Sequence, residues 1–124
     1  MPILEVELVG EVASETRRGL AERIAQSVAA VLNAETGSVW VRLRFTPASD
    51  YGENGPPAGH PDPTHPVFVT INRRALPPAS ILKQEARLLA AVVAGACHRV
   101  KADVHIIYEP PGKGRVAFGG SLID

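Results

Sequence analysis

Pro2 has the most distinctive chemistry in this sequence. Methionine is normally removed when a small residue such as proline follows it, so we expect Pro2 to become the amino-terminal residue. An α-amino group titrates at about 8, and burial lowers the pKa of an amine because it penalises the ammonium form. A neutral Pro2 can therefore act as a general base, and a protonated Pro2 as a general acid. The alternative is structural: Pro2 begins an edge strand, where its missing N–H costs nothing.

Two adjacent arginines, Arg73 and Arg74, form the second candidate group. A guanidinium group binds a carboxylate through two parallel hydrogen bonds, and a positive charge close to an amine favours the neutral form of that amine. The two arginines would therefore complement Pro2 if the fold placed all three residues together. Without that proximity they are a solvated basic pair in front of a helix.

The remaining candidates give weaker signals. His60, Asp62 and His65 could bind a metal, but HPDPTH is short and rich in proline. We interpret it as a solvated loop and predict no metal site. Cys97 is predicted to be a small buried hydrophobic residue, and His98 a cation near a helix C-terminus. The sequence contains no phosphate-binding glycine loop, no GxSxG and no HExxH.

Length and charge limit the class of protein. The chain has 124 residues, 13 Lys+Arg and 13 Asp+Glu, which suits one domain of zero formal net charge. Zero net charge argues against binding to nucleic acid or to an anionic membrane, since both need a basic excess. One cysteine cannot form an internal disulfide, the opening MPILEVELVG does not have the pattern of a signal peptide, and no apolar run is long enough to span a membrane. We therefore expect a cytoplasmic protein.

The first half of the chain has the pattern of strand, helix and strand. Apolar residues alternate with glutamates in PILEVELV (2–9), which is typical of a strand with one buried face. Residues 15–33 carry apolar side chains at helical spacing, with Ser14 as the predicted N-cap. SVWVRLRF (38–45) alternates again and is predicted to be the second strand.

The second half repeats this order. We predict strands over 67–72 and 103–108 and a helix over 79–99, followed by a short apolar end. A shift of 65 residues places core positions of one half on core positions of the other.

The repeat predicts the domain organisation. We expect one domain, 1–124, built from pseudo-repeats 2–46 and 66–124 that are joined by the proline- and glycine-rich loop 47–65. Each βαβ unit has parallel strands. The predicted fold class is therefore α+β: a four-stranded mixed sheet, two helices on one face, and a short C-terminal hairpin.

A pseudo-twofold axis between the two units would bring the candidate residues together. The start of the first strand would then lie beside the end of the third, which places Pro2 close to Arg73 and Arg74. The sheet face without helices carries Trp40, Phe68 and mixed charge. Because such a face is poorly suited to bare solvent, we expect the protein to oligomerise.

The chain resembles the tautomerase superfamily. The resemblance rests on Pro2, PILEVELVG, SVWVRL, the βαβ repeat and the closing KGRVAFGG (113–120), and it covers the chain apart from the loop. Members include 4-oxalocrotonate tautomerase, 5-carboxymethyl-2-hydroxymuconate isomerase, macrophage migration inhibitory factor, malonate semialdehyde decarboxylase and the 3-chloroacrylic acid dehalogenases. The resemblance implies an amino-terminal proline as acid or base, a homotrimer, and no metal or organic cofactor. It also implies that Arg73 and Arg74 bind a substrate carboxylate.

The sequence departs from this family pattern at two arginine positions. Short tautomerases carry an arginine after the first strand, where this chain has Glu11, and another in the second strand, where it has Trp40. A substrate like oxalocrotonate is therefore not favoured. Trp40, its repeat partner His105, and Phe118 are predicted walls of the substrate pocket; packing at a trimer interface is the alternative.

These observations favour a cofactor-independent tautomerase that moves a proton of a small carboxylated enol or dienol through Pro2. The alternatives are a proline-dependent decarboxylase or haloacrylate dehalogenase, and a non-catalytic trimeric scaffold or signalling protein. Dehalogenation by hydration needs a carboxylate near Pro2, for which Glu109 and Asp124 are available.

Overall fold

The strand–helix–strand order predicted for each half is present in the computed structural model, which describes residues 1–56, 58–59 and 64–124. Two candidate metal ligands, His60 and Asp62, lie outside the described residues. The elements follow in the order β1 (Ile3–Val9), α1 (Ser14–Arg17), α2 (Leu20–Leu32), β2 (Trp40–Thr46), β3 (Val67–Asn72), α3 (Ala79–Cys97), β4 (Val104–Tyr108), β5 (Ala117–Phe118) and β6 (Ser121–Leu122).

Strands β1 to β4 form one mixed sheet in the order β2-β1-β3-β4. β2 runs parallel to β1, β4 runs parallel to β3, and the central β1–β3 pair is antiparallel. Glu5 lies opposite Thr70, the residue that the 65-residue shift assigns to it. A pseudo-twofold axis therefore passes between these two residues, and the predicted four-stranded mixed sheet is confirmed.

The core lies between this sheet and the two long helices. Alternation along β1 and β3 places every second side chain of these strands under the helices, and α2 and α3 contribute most of the other core side chains. The fully buried side chains include Leu4, Val6, Leu8, Leu20, Ile24, Val28, Val67, Val69, Ile71 and Leu89. On the opposite face of the sheet Glu5 lies between Arg42 and Arg44, at 3.5 and 3.6 Å. The two faces have the apolar and charged character predicted from the alternation.

The helix predicted over 15–33 is divided at Gly19. Its φ of +65° is left-handed, which a glycine adopts without steric cost and which interrupts the helical hydrogen bonds. Arg23 donates to main-chain oxygens of the preceding turn, including that of Thr16 at 2.6 Å. Ser14 is the first residue of α1 and makes no capping side-chain hydrogen bond, so its predicted N-cap role is wrong.

The second long helix ends at Cys97, two residues before the predicted end. His98 adopts a left-handed φ of +55° and terminates α3. Cys97 is 3% exposed, which confirms the prediction of a buried residue. Desolvation raises the pKa of its thiol to about 11.

The chain ends in the predicted hairpin, β5–β6. Gly119 and Gly120 form its turn, with φ of +55° and +90°. Two consecutive positive φ angles are what a tight two-residue hairpin needs, and glycine supplies them. Among the described residues, no helix combines the length and apolar character needed to cross a membrane.

Candidate active site around Pro2

A cavity of about 690 Å³ opens where β1 begins and β3 ends. Pro2 is buried in its wall, and Arg73 and Arg74 line it. The register explains this arrangement: Ile3 lies opposite Asn72, so the residue before Ile3 and the residues after Asn72 meet at one edge of the sheet. The structure thus brings together the three residues whose proximity the pseudo-twofold axis predicts.

The remaining wall comes from two segments outside the sheet. One is the end of α2 with the loop that follows it, and the other is the C-terminal hairpin with the residues after it. The lining residues besides Pro2, Arg73 and Arg74 are Met1, Leu32, Ala34, Glu35, Ser38, Phe118, Leu122, Ile123 and Asp124. The cavity therefore combines apolar side chains with two arginines and two carboxylates, a composition suited to a small molecule that carries both apolar and polar groups.

Arg73 is tied to the core by a buried ion pair. Its guanidinium contacts Glu85 of α3, a residue that is only 9% exposed. The hydroxyl of Tyr108 donates a hydrogen bond of 2.7 Å to the other carboxylate oxygen of Glu85. Burial, and then this bond, raise the pKa of Tyr108 well above its usual range. Glu85 therefore orients Arg73 and neutralises much of its charge, so the two arginines are not equivalent.

Arg74 lies in a different environment from Arg73. It is exposed and donates a hydrogen bond to the main-chain oxygen of Asp124. Within the part of the chain that the structure describes, no carboxylate side chain forms a salt bridge with Arg74. Its guanidinium already binds an oxygen acceptor at the cavity wall, which is the chemistry needed for a carboxylate.

Phe118 and Trp40 form one aromatic unit beside the cavity. Phe118 lines it directly. Trp40 packs edge-on against Phe118 with 5.1 Å between the ring centroids, and its Nε1 donates to the main-chain oxygen of Gly37 at 3.0 Å. Phe118 is thus a wall residue as predicted, whereas Trp40, which is 53% exposed, supports that wall from outside.

The structure does not bring His105 to this cavity. His105 pairs with Phe68 at the beginning of β4, and their ring centroids are 5.5 Å apart. Because β4 is parallel to β3, its first residues lie beside the start of β3, whereas the cavity lies at the end of β3. This corrects the predicted pocket wall within one protomer.

Sequence reasoning missed the loop between α2 and β2. Glu35 and Ser38 line the cavity, and the Ser38 hydroxyl donates to the main-chain oxygen of Glu35 at 2.7 Å. A parallel βαβ crossover returns the chain to the edge at which β1 begins, and this rule could have located the loop. Of the two carboxylates considered from the sequence, Asp124 lines the cavity and Glu109 lines a neighbouring one.

Comparison with solved structures identifies the fold. A wild-type fused 4-OT, a symmetric trimer, superposes with a TM-score of 0.78 at 16% identity, covering 97% of this chain and 94% of the other. FG41 malonate semialdehyde decarboxylase inhibited by 3-bromopropiolate gives 0.74 at 16% identity, with coverage of 94% and 88%. Macrophage migration inhibitory factor from Oncomelania hupensis gives 0.71 at 21% identity, with coverage of 100% and 83%. No protein-family model and no curated protein matches the chain.

Proposed function

We propose that the chain, which has the fold of these solved structures, is a cofactor-independent tautomerase of the tautomerase superfamily with Pro2 as its catalytic residue. The observation that carries this proposal is the position of Pro2, buried in the wall of the cavity that also contains Arg73 and Arg74. A secondary amine beside positive charge is a base poised to work on a bound carboxylate-bearing molecule.

The proposed reaction moves one proton within the substrate. After removal of Met1, the Pro2 nitrogen takes a proton from one position of an enol or dienol and returns it to carbon at another. A substrate carboxylate displaces the Asp124 oxygen from Arg74 and forms charge-assisted hydrogen bonds. Negative charge that develops on the substrate oxygen is stabilised by the two arginines, of which Arg73 is already oriented by Glu85.

The cavity limits the class of substrate. Its volume of about 690 Å³ suits a small molecule, and Leu32, Phe118 and Leu122 provide apolar surface for the part remote from the carboxylate. Of the two arginines that line the cavity, Arg73 is already paired with the Glu85 carboxylate, whereas Arg74 forms no salt bridge with a carboxylate side chain among the described residues. We therefore expect a substrate with one carboxylate rather than two.

We also propose that the protein works as a homotrimer through the sheet face that has no helices. That face exposes Trp40, Ile107 and the Glu5–Arg42–Arg44 cluster. Exposed aromatic and aliphatic side chains of this kind mark association surfaces. Several solved structures with the same fold are trimers, which supports this stoichiometry.

A second candidate reaction uses protonated Pro2 as an acid in decarboxylation or in hydration of a haloacrylate. The observation that favours it is the presence of Glu35 and Asp124 on the cavity wall, since hydration needs a carboxylate to activate water. The two reactions differ in the protonation state of Pro2, so the pH dependence of turnover separates them.

The test is a kinetic panel on untagged protein. Intact mass first establishes whether Met1 has been removed, and turnover is then measured on phenylenolpyruvate, a 2-hydroxydienoate and a 3-haloacrylate. Isomerisation with a low apparent pKa supports base catalysis, whereas haloacrylate turnover with an apparent pKa of about 9 supports acid catalysis. Retention of Met1, or turnover that survives unchanged in Pro2→Ala, overturns every mechanism that uses Pro2.

A further inference from the structure

Asn72 has a feature that the proposed reaction leaves unused. Its Oδ1 atom is buried and has no hydrogen-bond partner among residues 1–56, 58–59 and 64–124. A buried acceptor without a donor is uncommon in folded proteins, because it has lost its hydration without replacement. Asn72 ends β3 and lies opposite Ile3, the residue that follows Pro2. Asn72 lines the neighbouring cavity that also contains Glu109, whereas Met1, whose side chain ends near Asn72, lines the cavity of Pro2.

Met1 and Gly112 define the space in front of this oxygen. A Cβ built on Gly112 would lie 2.7 Å from Asn72 Oδ1, 3.2 Å from Met1 Sδ, and in contact with Met1 Cε. The end of the Met1 side chain therefore fills a slot between Gly112 and the carboxamide of Asn72. A thioether donates no hydrogen bond, so the oxygen stays unpaired while Met1 occupies the slot.

Gly112 cannot easily move away from this slot. Its N–H donates a hydrogen bond of 2.7 Å to the main-chain oxygen of Arg73, and the next residue, Lys113, donates one of 3.1 Å to that of Arg74. These bonds anchor the segment to the residues that line the cavity. The slot therefore depends on the missing side chain at position 112 rather than on a flexible loop.

We propose that this slot is a substrate subsite in the mature chain, in which Asn72 Oδ1 accepts a hydrogen bond from a hydroxyl group of the substrate. The subsite rests on the proposed function, since it requires removal of Met1 and a carboxylate bound at Arg74. Met1 is bonded to the Pro2 nitrogen and its side chain ends in the slot, so the slot and that nitrogen are separated by about the length of a methionine side chain. The substrate would therefore carry, besides its carboxylate, a second polar group remote from the carbon that exchanges its proton.

Ligand binding tests the subsite independently of turnover. Protein without Met1 is titrated calorimetrically with phenylacetate and 4-hydroxyphenylacetate, two unreactive carboxylates that differ by one hydroxyl. We expect the hydroxylated ligand to bind about tenfold more tightly, because a site built for a hydrogen bond disfavours a ligand that leaves its acceptor unpaired. Asn72→Leu should reduce this ratio to about one and leave the Kd of phenylacetate within about twofold.

A second pair of variants tests the slot by filling it. Gly112→Ala places a methyl group against Asn72 Oδ1 and should weaken binding of 4-hydroxyphenylacetate by about tenfold. Gly95→Ala is the matched control, because a Cβ at that position of α3 meets nothing within 4 Å. It should leave both Kd values unchanged.

The outcomes separate the two proposals. Equal binding of the two ligands to the wild-type protein overturns the subsite and leaves the carboxylate site standing. If Asn72→Leu still binds 4-hydroxyphenylacetate about tenfold more tightly than phenylacetate, Asn72 is not the hydrogen-bond acceptor, and its role in the subsite is overturned. Failure of both ligands to bind overturns the subsite together with the carboxylate site, whereas discrimination without any turnover supports the subsite and removes only the reaction.

Discussion

The antiparallel pair β1–β3 has two ends related by the pseudo-twofold axis, and their chemistry differs sharply. At one end lie Pro2, Arg73 and Arg74, which line the cavity. The 65-residue shift assigns to these positions Val67, Leu8 and Val9 at the other end, all of them buried and apolar. The backbone offers two equivalent edges, so the charge at one of them reflects side-chain choice rather than fold.

The end without the cavity is also covered by its own loop. Tyr51 packs against Phe68 with 6.1 Å between ring centroids, and its hydroxyl donates to Glu53. Thr64 donates to the same carboxylate through its hydroxyl at 2.6 Å, and these bonds lower the pKa of Glu53. One end is thus closed by a hydrogen-bonded loop, and the other is open to a ligand. Three pairs of variants and one single variant test this contrast and the packing around it.

Replacement of the two prolines at corresponding ends should have the largest effect. Pro2→Ala exchanges the secondary amine for a more mobile primary amine and should lower kcat/KM by about 10²-fold or more, as expected for a lost general acid–base group. Pro66→Ala is the control at the other end, where Pro66 is buried and accepts a hydrogen bond from the Val9 N–H through its main-chain oxygen. It should change kcat/KM by less than about threefold, and similar losses in both variants would contradict the contrast.

The next largest difference is expected in the stability cost of replacing a carboxylate on each face of the sheet. Glu85→Gln leaves Arg73 without its buried partner and should lower the free energy of unfolding by about 3 kcal/mol. Glu5→Gln affects exposed pairs with Arg42 and Arg44 and should cost less than about 1 kcal/mol. Urea denaturation measures both values, and an equal loss in the two variants would show that the Glu85–Arg73–Tyr108 network is not a buried constraint.

Substituting one arginine at each end of the β1–β3 pair should separate a loss of substrate binding from a general effect on the structure. Arg74→Gln removes the guanidinium available to a carboxylate and should raise KM about 10- to 30-fold, the value of a charge-assisted hydrogen bond. Arg99→Gln is the control, because Arg99 also donates to a main-chain oxygen, that of His65 at 2.6 Å, but at the other end. Its KM should stay within about twofold of the wild type, and initial-rate kinetics on the substrate found in the panel decides between these outcomes.

The smallest expected effect concerns Cys97, which the 65-residue shift matches to Leu32 of the cavity wall. The folded thiol has a pKa of about 11, against an ordinary value of 9.0. Between these values the unfolded chain has released the proton and the folded chain has kept it, so the folded state loses stability as the pH rises. From pH 8 to pH 10 we expect Cys97 to contribute a loss of about 1 kcal/mol.

Denaturation of the wild type and Cys97→Ala at both pH values measures this contribution. The variant should show a smaller decline in the free energy of unfolding than the wild type, whatever its stability at pH 8. Parallel declines in the two proteins would mean that the thiol is not desolvated in the fold.

Much of the fold could be predicted because it depends on local periodicity. Alternation in 2–9 and helical spacing in 79–99 identify the buried faces without knowledge of the partners. Once the two halves are seen as repeats, symmetry alone predicts that Pro2 meets Arg73 and Arg74. The break at Gly19 was not predictable in this way, because a glycine within a helical pattern does not reveal its φ.

What the sequence determined by itself is therefore the order of the elements, the two faces of the sheet, and the edge at which the candidate residues meet. Only the tertiary structure decided that Arg73 is neutralised by Glu85, that His105 lies away from the cavity, and that Asn72 faces Met1 and Gly112. The physical reason is the range of the interactions. Periodicity acts between neighbours in the chain, whereas ion pairs and cavities depend on side chains that long-range packing brings together.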